Sequence, residues 1–260
     1  MSRRLAVVVA HPDDDTFGSA GAVALDGGDP GFDLTVILAT SGGAGQISDP
    51  SLATPETLGT VREAEDRASW RALGVEPSGL YFLRYSDGGV ADVPRRELVG
   101  RIVEVLRDAR PDVVVTFGPE GITGHTDHVV VGEAATEAFH RVRVEGGDGF
   151  HRLLYNALPQ SKIEWFSDRL VERGMDPIDP TQSFHPRGVP DETIGVVIDC
   201  SPVWRRVEDA LREHKTQNDA EAFPEDLMEP ILSEASYVQA WPHRPPGSPV
   251  LAGIFEGLDE

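Results

Sequence analysis

Leu5-Ala6-Val7-Val8-Val9-Ala10-His11-Pro12-Asp13-Asp14-Asp15 decides how this chain is read. Its first half is an uninterrupted apolar run, which predicts a strand buried on both faces over residues 4–10. Its second half presents one imidazole and three carboxylates as soon as the chain leaves that strand. Carboxylates packed this closely repel one another, and a cation or a proton must compensate them. Far downstream, Gly124-His125-Thr126-Asp127-His128 supplies two more imidazoles. Together the two stretches point to a metal-dependent hydrolase.

Outward from residue 15, strand and helix signals alternate. Strands are expected over residues 34–40, 80–83, 112–117, 153–158 and 193–198. Helices are expected over 18–25, 55–73, 95–107, 129–139 and 201–216, with Gly74 placed as a C-terminal cap. Residues 160–191, richer in proline and polar side chains, are expected to form loops or a small cap. This β-α-β-α order predicts a doubly wound, mainly parallel, Rossmann-like α/β sheet of strand order near 3-2-1-4-5, with a small C-terminal cap. One domain over 1–260 is expected, its core about 1–158, with 159–260 completing the sheet and the substrate-side cap. In that order strands one and four are neighbours at the switch point, where ligands bind at the carboxyl ends. Topology therefore brings together two motifs that are distant in the chain.

The 260 residues carry a formal net charge of −21, which argues against nucleic acid or an anionic membrane surface as partner. Lysine is nearly absent (Lys162 and Lys215), a pattern open to either base composition or a high-salt habitat. One cysteine, Cys200, excludes an internal disulfide and fits a reducing compartment. No run approaches the roughly 20 apolar residues of a membrane span. Met1-Ser2-Arg3-Arg4 leads straight into a strand without a signal-peptide cleavage site. A cytoplasmic protein is expected, with a homo-oligomer left open.

A dinucleotide site would need G-x-G-x-x-G after strand one. The turn here reads His-Pro-Asp-Asp-Asp, whose carboxylates would repel a phosphate, so that class is excluded. Zinc takes imidazole nitrogen and carboxylate oxygen, with three protein ligands and a water in catalytic sites. His11, Asp14 and His128 make such a set, and non-haem iron would accept it too. Asp13 and Asp14 are adjacent on what is read as an extended turn, so their side chains diverge. Asp14 can bind the metal while Asp13 faces a zinc-bound water as general base. His125 can protonate a leaving amine or, protonated itself, stabilise the oxyanion. Asp127 can orient a histidine from behind. His140, His151, His185 and His243 have no partner pattern.

Ala10-His11-Pro12-Asp13-Asp14 and His125-Thr126-Asp127-His128 resemble the paired motifs of the PIG-L/LmbE-like zinc deacetylases, which remove N-acetyl groups from glucosamine-containing substrates. The resemblance extends to Arg62-Glu63-Ala64-Glu65 running into Leu73-Gly74-Val75, to Asp87-Gly88 and to His214-Lys215-Thr216-Gln217. It implies zinc on His11, Asp14 and His128, Asp13 as base and His125 as electrophilic or acid partner. Asp15, Asp127, Arg62, Glu65, Asp87 and His214 would contact those ligands or the substrate, an N-acetylated sugar conjugate. Asp15 stands where the family usually has glutamate, one methylene longer. Two other readings remain: an amidase cleaving a larger acyl group from a thiol or sugar conjugate, and a non-catalytic sugar-binding module. The bland alternatives are a solvated acidic loop, a surface pair of Arg62 with Glu65, and His214 at the polar end of a helix.

Overall fold

A computed structural model of the protein describes residues 3–258, apart from 183 and 246. Its first half is β1 (Arg3–Val9), α1 (Asp14–Asp26), β2 (Phe32–Thr40), α2 (Leu58–Leu73), β3 (Gly79–Tyr85), α3 (Arg95–Ala109), β4 (Val113–Phe117), α4 (Gly121–Gly124) and α5 (Thr126–Arg143). There follow β5 (Arg152–Asn156), α6 (Gln160–Glu172), β6 (Ile194–Asp199), α7 (Trp204–Leu211), α8 (Glu225–Leu232) and β7 (Glu234–Trp241). The strands form one sheet in the order β3-β2-β1-β4-β5-β7-β6.

β1 sits between β2 and β4, parallel to both: Leu5 faces Leu34 and Val113, and Val7 faces Val36 and Val115. A strand paired on both edges and covered on both faces has no solvent side. Leu5, Ala6, Val7 and Val8 are accordingly at most 1% exposed. Right-handed crossovers put α1 and α2 on one face and α3 and α5 on the other. In keeping with that, α1 and α2 pack against α7, and α3 packs against α5. Parallel pairing of β1 to β5 sends all their carboxyl ends to one rim of the sheet.

The expected doubly wound sheet and its 3-2-1-4-5 order are present, and the sheet continues further. β7, not anticipated from sequence, inserts between β5 and β6 and runs antiparallel to both. Its half-buried pattern is weak by itself; Tyr237, fully buried, anchors it by donating its hydroxyl hydrogen to the Gly18 carbonyl at 2.9 Å. Three other expectations are corrected. α1 begins at Asp14 rather than at residue 18, because carboxylates suit the free N–H groups of a helix start. Residues 160–172, expected within a stretch of loops or a small cap, form α6: Pro159 precedes the helix and Pro177 and Pro180 follow it, so no proline interrupts it. The helix expected over 201–216 is shorter, Trp204–Leu211, and His214 lies in the turns beyond it. Gly74 caps α2 in the left-handed conformation, as expected. Among the described residues, no helix is long and apolar enough to cross a membrane.

α5 approaches β4 so closely that a Cβ at Gly132 would stand 2.6 Å from the Phe117 carbonyl oxygen. Backbone cannot give way as a flexible side chain does. Gly132→Ala should therefore cost about 1–3 kcal/mol of stability, measured as a lower urea midpoint at unchanged slope.

Candidate metal centre

The centre is assembled where four parallel strands end. The chain leaves β1 through buried Ala10 and His11, and the His11 N–H donates to Asp14 Oδ2 at 2.8 Å. Asp13 takes φ 122°, a backbone conformation that non-glycine residues rarely adopt. Its carboxylate, instead of capping α1, receives the Arg62 guanidinium at 2.6 Å. The two acids do diverge, but across the start of a helix rather than along an extended turn. Arg62 also donates to the carbonyls of Pro12 at 2.5 Å and Gly42 at 3.0 Å, so it clips the loop after β2 to the loop after β1.

From the other motif, His125 caps α5 and its Nδ1 accepts the Asp127 N–H at 3.1 Å. His128 lies one turn into that helix. Its ring stacks on Phe117, 4.2 Å away and 3° from parallel, and its Nδ1 is 3.0 Å from the Gly121 carbonyl oxygen. That contact assigns the ring proton to Nδ1 and leaves the Nε2 lone pair free to face the cluster.

His11 Nδ1, His128 Nε2 and the Asp14 carboxylate, which turns one oxygen to each ring, then form a compact donor triangle. His11 Nδ1 lies 3.2 Å from His128 Nε2 and 3.2 Å from Asp14 Oδ2, and His128 Nε2 lies 3.3 Å from Asp14 Oδ1. Tetrahedral ligands about 2.0–2.1 Å from zinc lie about 3.3 Å from one another, so the donor set and its spacing fit such an ion. A second group, His11 with His125 and Asp127, shares only His11. It reads as support rather than as another ion site. His11 Nε2 is 3.0 Å from Asp87 Oδ1 and 3.4 Å from Asp127 Oδ2. Carboxylates behind a ligating imidazole fix its tautomer and raise its basicity. They are fixed in turn: Asp127 accepts the N–H groups of Gly88 at 2.8 Å and Val90 at 3.1 Å, and Asp87 accepts that of Ala44 at 2.8 Å.

Without a cation, protons compensate this charge. Burial opposes a charged His11, but hydrogen bonds to Asp127, Asp14 and Asp87 outweigh it and raise its pKa well above the ordinary value. Burial likewise opposes ionisation of Asp14, yet His128 and His11 hold its pKa below the usual carboxylate range. Asp87 falls to about 2, because its bonds to His11 outweigh its own burial. For His125, burial and then its histidine neighbours lower the pKa and favour the neutral ring.

Beneath the cluster lies a second polar layer. Asp15, fully buried, accepts the Trp70 indole N–H at 2.9 Å and lies beside buried Asp66. Burial raises both carboxyls above the ordinary range, Asp15 to about 6. Glu65 receives the N–H and hydroxyl of Thr216 at 2.9 and 2.6 Å. His214 Nε2 contacts the Thr16 hydroxyl at 3.1 Å, and burial drives the His214 pKa down to about 3. Glu65 and His214 therefore brace α1, α2 and the turn after α7 and do not join the triangle. Arg62 and Glu65 are not a surface pair: both are buried, with separate partners. Sequence reasoning misses Trp70, Asp66, Phe117 and the Gly121 carbonyl. Arg62, Glu65, Asp66, Ser69 and Trp70 do recur at helical spacing on the buried side of α2, which is a legible signal. Phe117 and Gly121 have no such local signal.

Fold and centre together define a doubly wound α/β protein with a His-His-Asp donor cluster at the carboxyl end of its sheet. Residues 6–139 match the family model described as PIG-L: GlcNAc-PI de-N-acetylase, and the chain belongs to this family. A 1D-myo-inositol 2-acetamido-2-deoxy-alpha-D-glucopyranoside deacetylase of Geodermatophilus obscurus is 30% identical over 251 residues, covering 83% of each chain. Among solved structures, the N,N'-diacetylchitobiose deacetylase of Pyrococcus horikoshii superposes with a TM-score of 0.57 at 24% identity, over 89% of this chain and 76% of that one. The 4-carboxy-2-hydroxymuconate hydratase of Pseudomonas putida does so with a TM-score of 0.61 at 18% identity, over 94% and 98%. Likenesses at these identities establish the fold, and the fold hosts more than one reaction.

Loading the metal-free protein with zinc should expel about one proton, the one His11 shares with its carboxylates. Calorimetric titration in buffers of different ionisation enthalpy reads this directly. Zinc uptake with no net proton release would contradict the charge assignment.

Proposed function

We propose that this protein is a zinc-dependent N-deacetylase that hydrolyses the acetamide of a glucosamine-type sugar conjugate. The observation that carries the proposal is the donor triangle at ligand spacing, with an acid and an imidazole beside it that are not part of it. His11 through Nδ1, His128 through Nε2 and Asp14 would hold the ion. A cation there supplies Lewis acidity, which at such centres lowers the pKa of water to about 7 and polarises a carbonyl.

The chain's own groups do the rest. Asp13 accepts the proton of the attacking water, and Arg62 holds its carboxylate in place. Because His125 Nδ1 is occupied by the Asp127 N–H, the proton of the neutral ring resides on Nε2. From there it donates a hydrogen bond to the oxyanion as the carbonyl carbon becomes tetrahedral. The proton taken by Asp13 passes on to the departing amine, so the carboxylate is regenerated and the hydrolysis yields acetate and the protonated amine. Asp87 also lines an open cleft of about 360 Å³ with Ser41, Gly43, Ala44, Arg84, Tyr85 and Ser86. The family relationship, and the inositol-linked N-acetylglucosamine named for the Geodermatophilus relative, support a sugar amide as substrate. A buried Cys200 fits a cytoplasmic setting.

The decisive experiment measures acetate release from that inositol conjugate by metal-stripped protein, with and without added zinc. Zinc-dependent release is expected. Asp13→Asn should lower kcat by about 10²–10⁴ while zinc stoichiometry is retained, whereas Asp14→Asn should lose the zinc itself. Substantial turnover by Asp13→Asn would remove it as the base.

A further inference from the structure

The segment joining α6 to β6 returns across the rim of the metal centre. Within it Phe184 is 72% exposed, and its ring centre lies 5.7 Å from that of His125, the planes tilted by 46°. Its backbone stands at φ 66°, a costly conformation for an aromatic residue. Three residues on, Arg187 donates its N–H to the Ile122 carbonyl at 2.6 Å. The Arg187 guanidinium lies against Gly124, where an added Cβ would collide with its Cζ. Ile122 itself has φ 60°. Two strained stretches of chain are thus fitted together beside His125. Their joint effect is to hold a large apolar ring in water at the mouth of the centre. Local strain persists where surrounding structure enforces it, and it concentrates at ligand-binding positions.

The His125 ring lies 4.9 Å from His11 and 5.1 Å from His128, so its far side faces away from the donor triangle, toward Phe184. An amide whose carbon is attacked at the triangle would extend its nitrogen substituent past His125. In the deacetylase reading, on which this inference rests, that substituent is the glucosamine ring. An aromatic face attracts the weakly positive C–H groups of a pyranose much as it does the edge of another ring. We propose that Phe184 is the stacking platform for the pyranose ring that bears the acetamido group, and that it is a specificity-determining residue. Arg187 is a positioning residue that pins the platform to the His125 loop.

The test compares zinc-loaded wild type, Phe184→Ala and Phe184→Trp on an N-acetylglucosaminyl-inositol conjugate. Phe184→Ala should raise KM about five- to tenfold with kcat within about twofold, and Phe184→Trp should restore KM. Zinc stoichiometry and melting temperature should not change, because the ring is exposed. An unchanged KM in Phe184→Ala overturns the proposal. So does a fall in kcat alone, which would assign Phe184 to holding His125. If wild type releases no acetate from any glucosaminide, the deacetylase reading fails by itself. Calorimetric binding of the same conjugate then decides the platform: weaker binding by Phe184→Ala supports it, and equal binding, or none by wild type, overturns it.

Discussion

Three carboxylates converge on one buried imidazole, and much of the molecule's organisation follows from keeping them there. Asp14, Asp87 and Asp127 all lie within 3.4 Å of His11 ring nitrogens. In a low-dielectric interior such a group is stable only if every lone pair is met and the net charge is compensated. Backbone N–H groups from other loops meet the lone pairs: Ala44 serves Asp87, and Gly88 and Val90 serve Asp127. The loops after β1, β2, β3 and β4 are thereby stitched together at one histidine. Parallel pairing makes this possible, since it delivers all four strand ends to the same rim.

Around this cluster, rigidity is placed where chemistry requires it. Stacking on Phe117 and the contact with the Gly121 carbonyl leave the His128 ring a single orientation. Arg62 ties Asp13 to two loops at once, and holds it at a φ that an isolated chain would avoid. Beneath, the Asp15–Trp70, Glu65–Thr216 and His214–Thr16 contacts bind α1, α2 and the turn after α7 into a polar floor. A buried polar layer of this kind is stable because its members are largely paired, and it resists the small displacements that would misplace a ligand.

The same sheet architecture supports both a sugar deacetylase and a hydratase among solved structures, so topology does not choose the reaction. What bears on reaction type is the combination found here: three donor groups close together, a carboxylate turned aside from them and held by a guanidinium, and an imidazole with one nitrogen committed to a helix cap. That combination suits an amide, in which a water must be deprotonated and a poor amine leaving group protonated.

Much of this is legible in the chain itself. The apolar run 5–10 can only be a doubly buried strand, because no polar residue offers it a solvent face. His11, Asp14 and His128 can be grouped because strand order 3-2-1-4 makes neighbours of β1 and β4. Chain order alone cannot show that β7 enters between β5 and β6, since an antiparallel insertion depends on partners far away. Nor can it show that Arg62 grips Asp13, or that Glu65 and His214 belong to the floor rather than to the substrate. In sequence, Phe184 is one more residue of a proline-rich loop. Residue type and local periodicity determine which groups can do chemistry and which strands are buried. Distances, tautomers and compensated charges arise only when segments remote in sequence meet, because electrostatic and steric forces act through space.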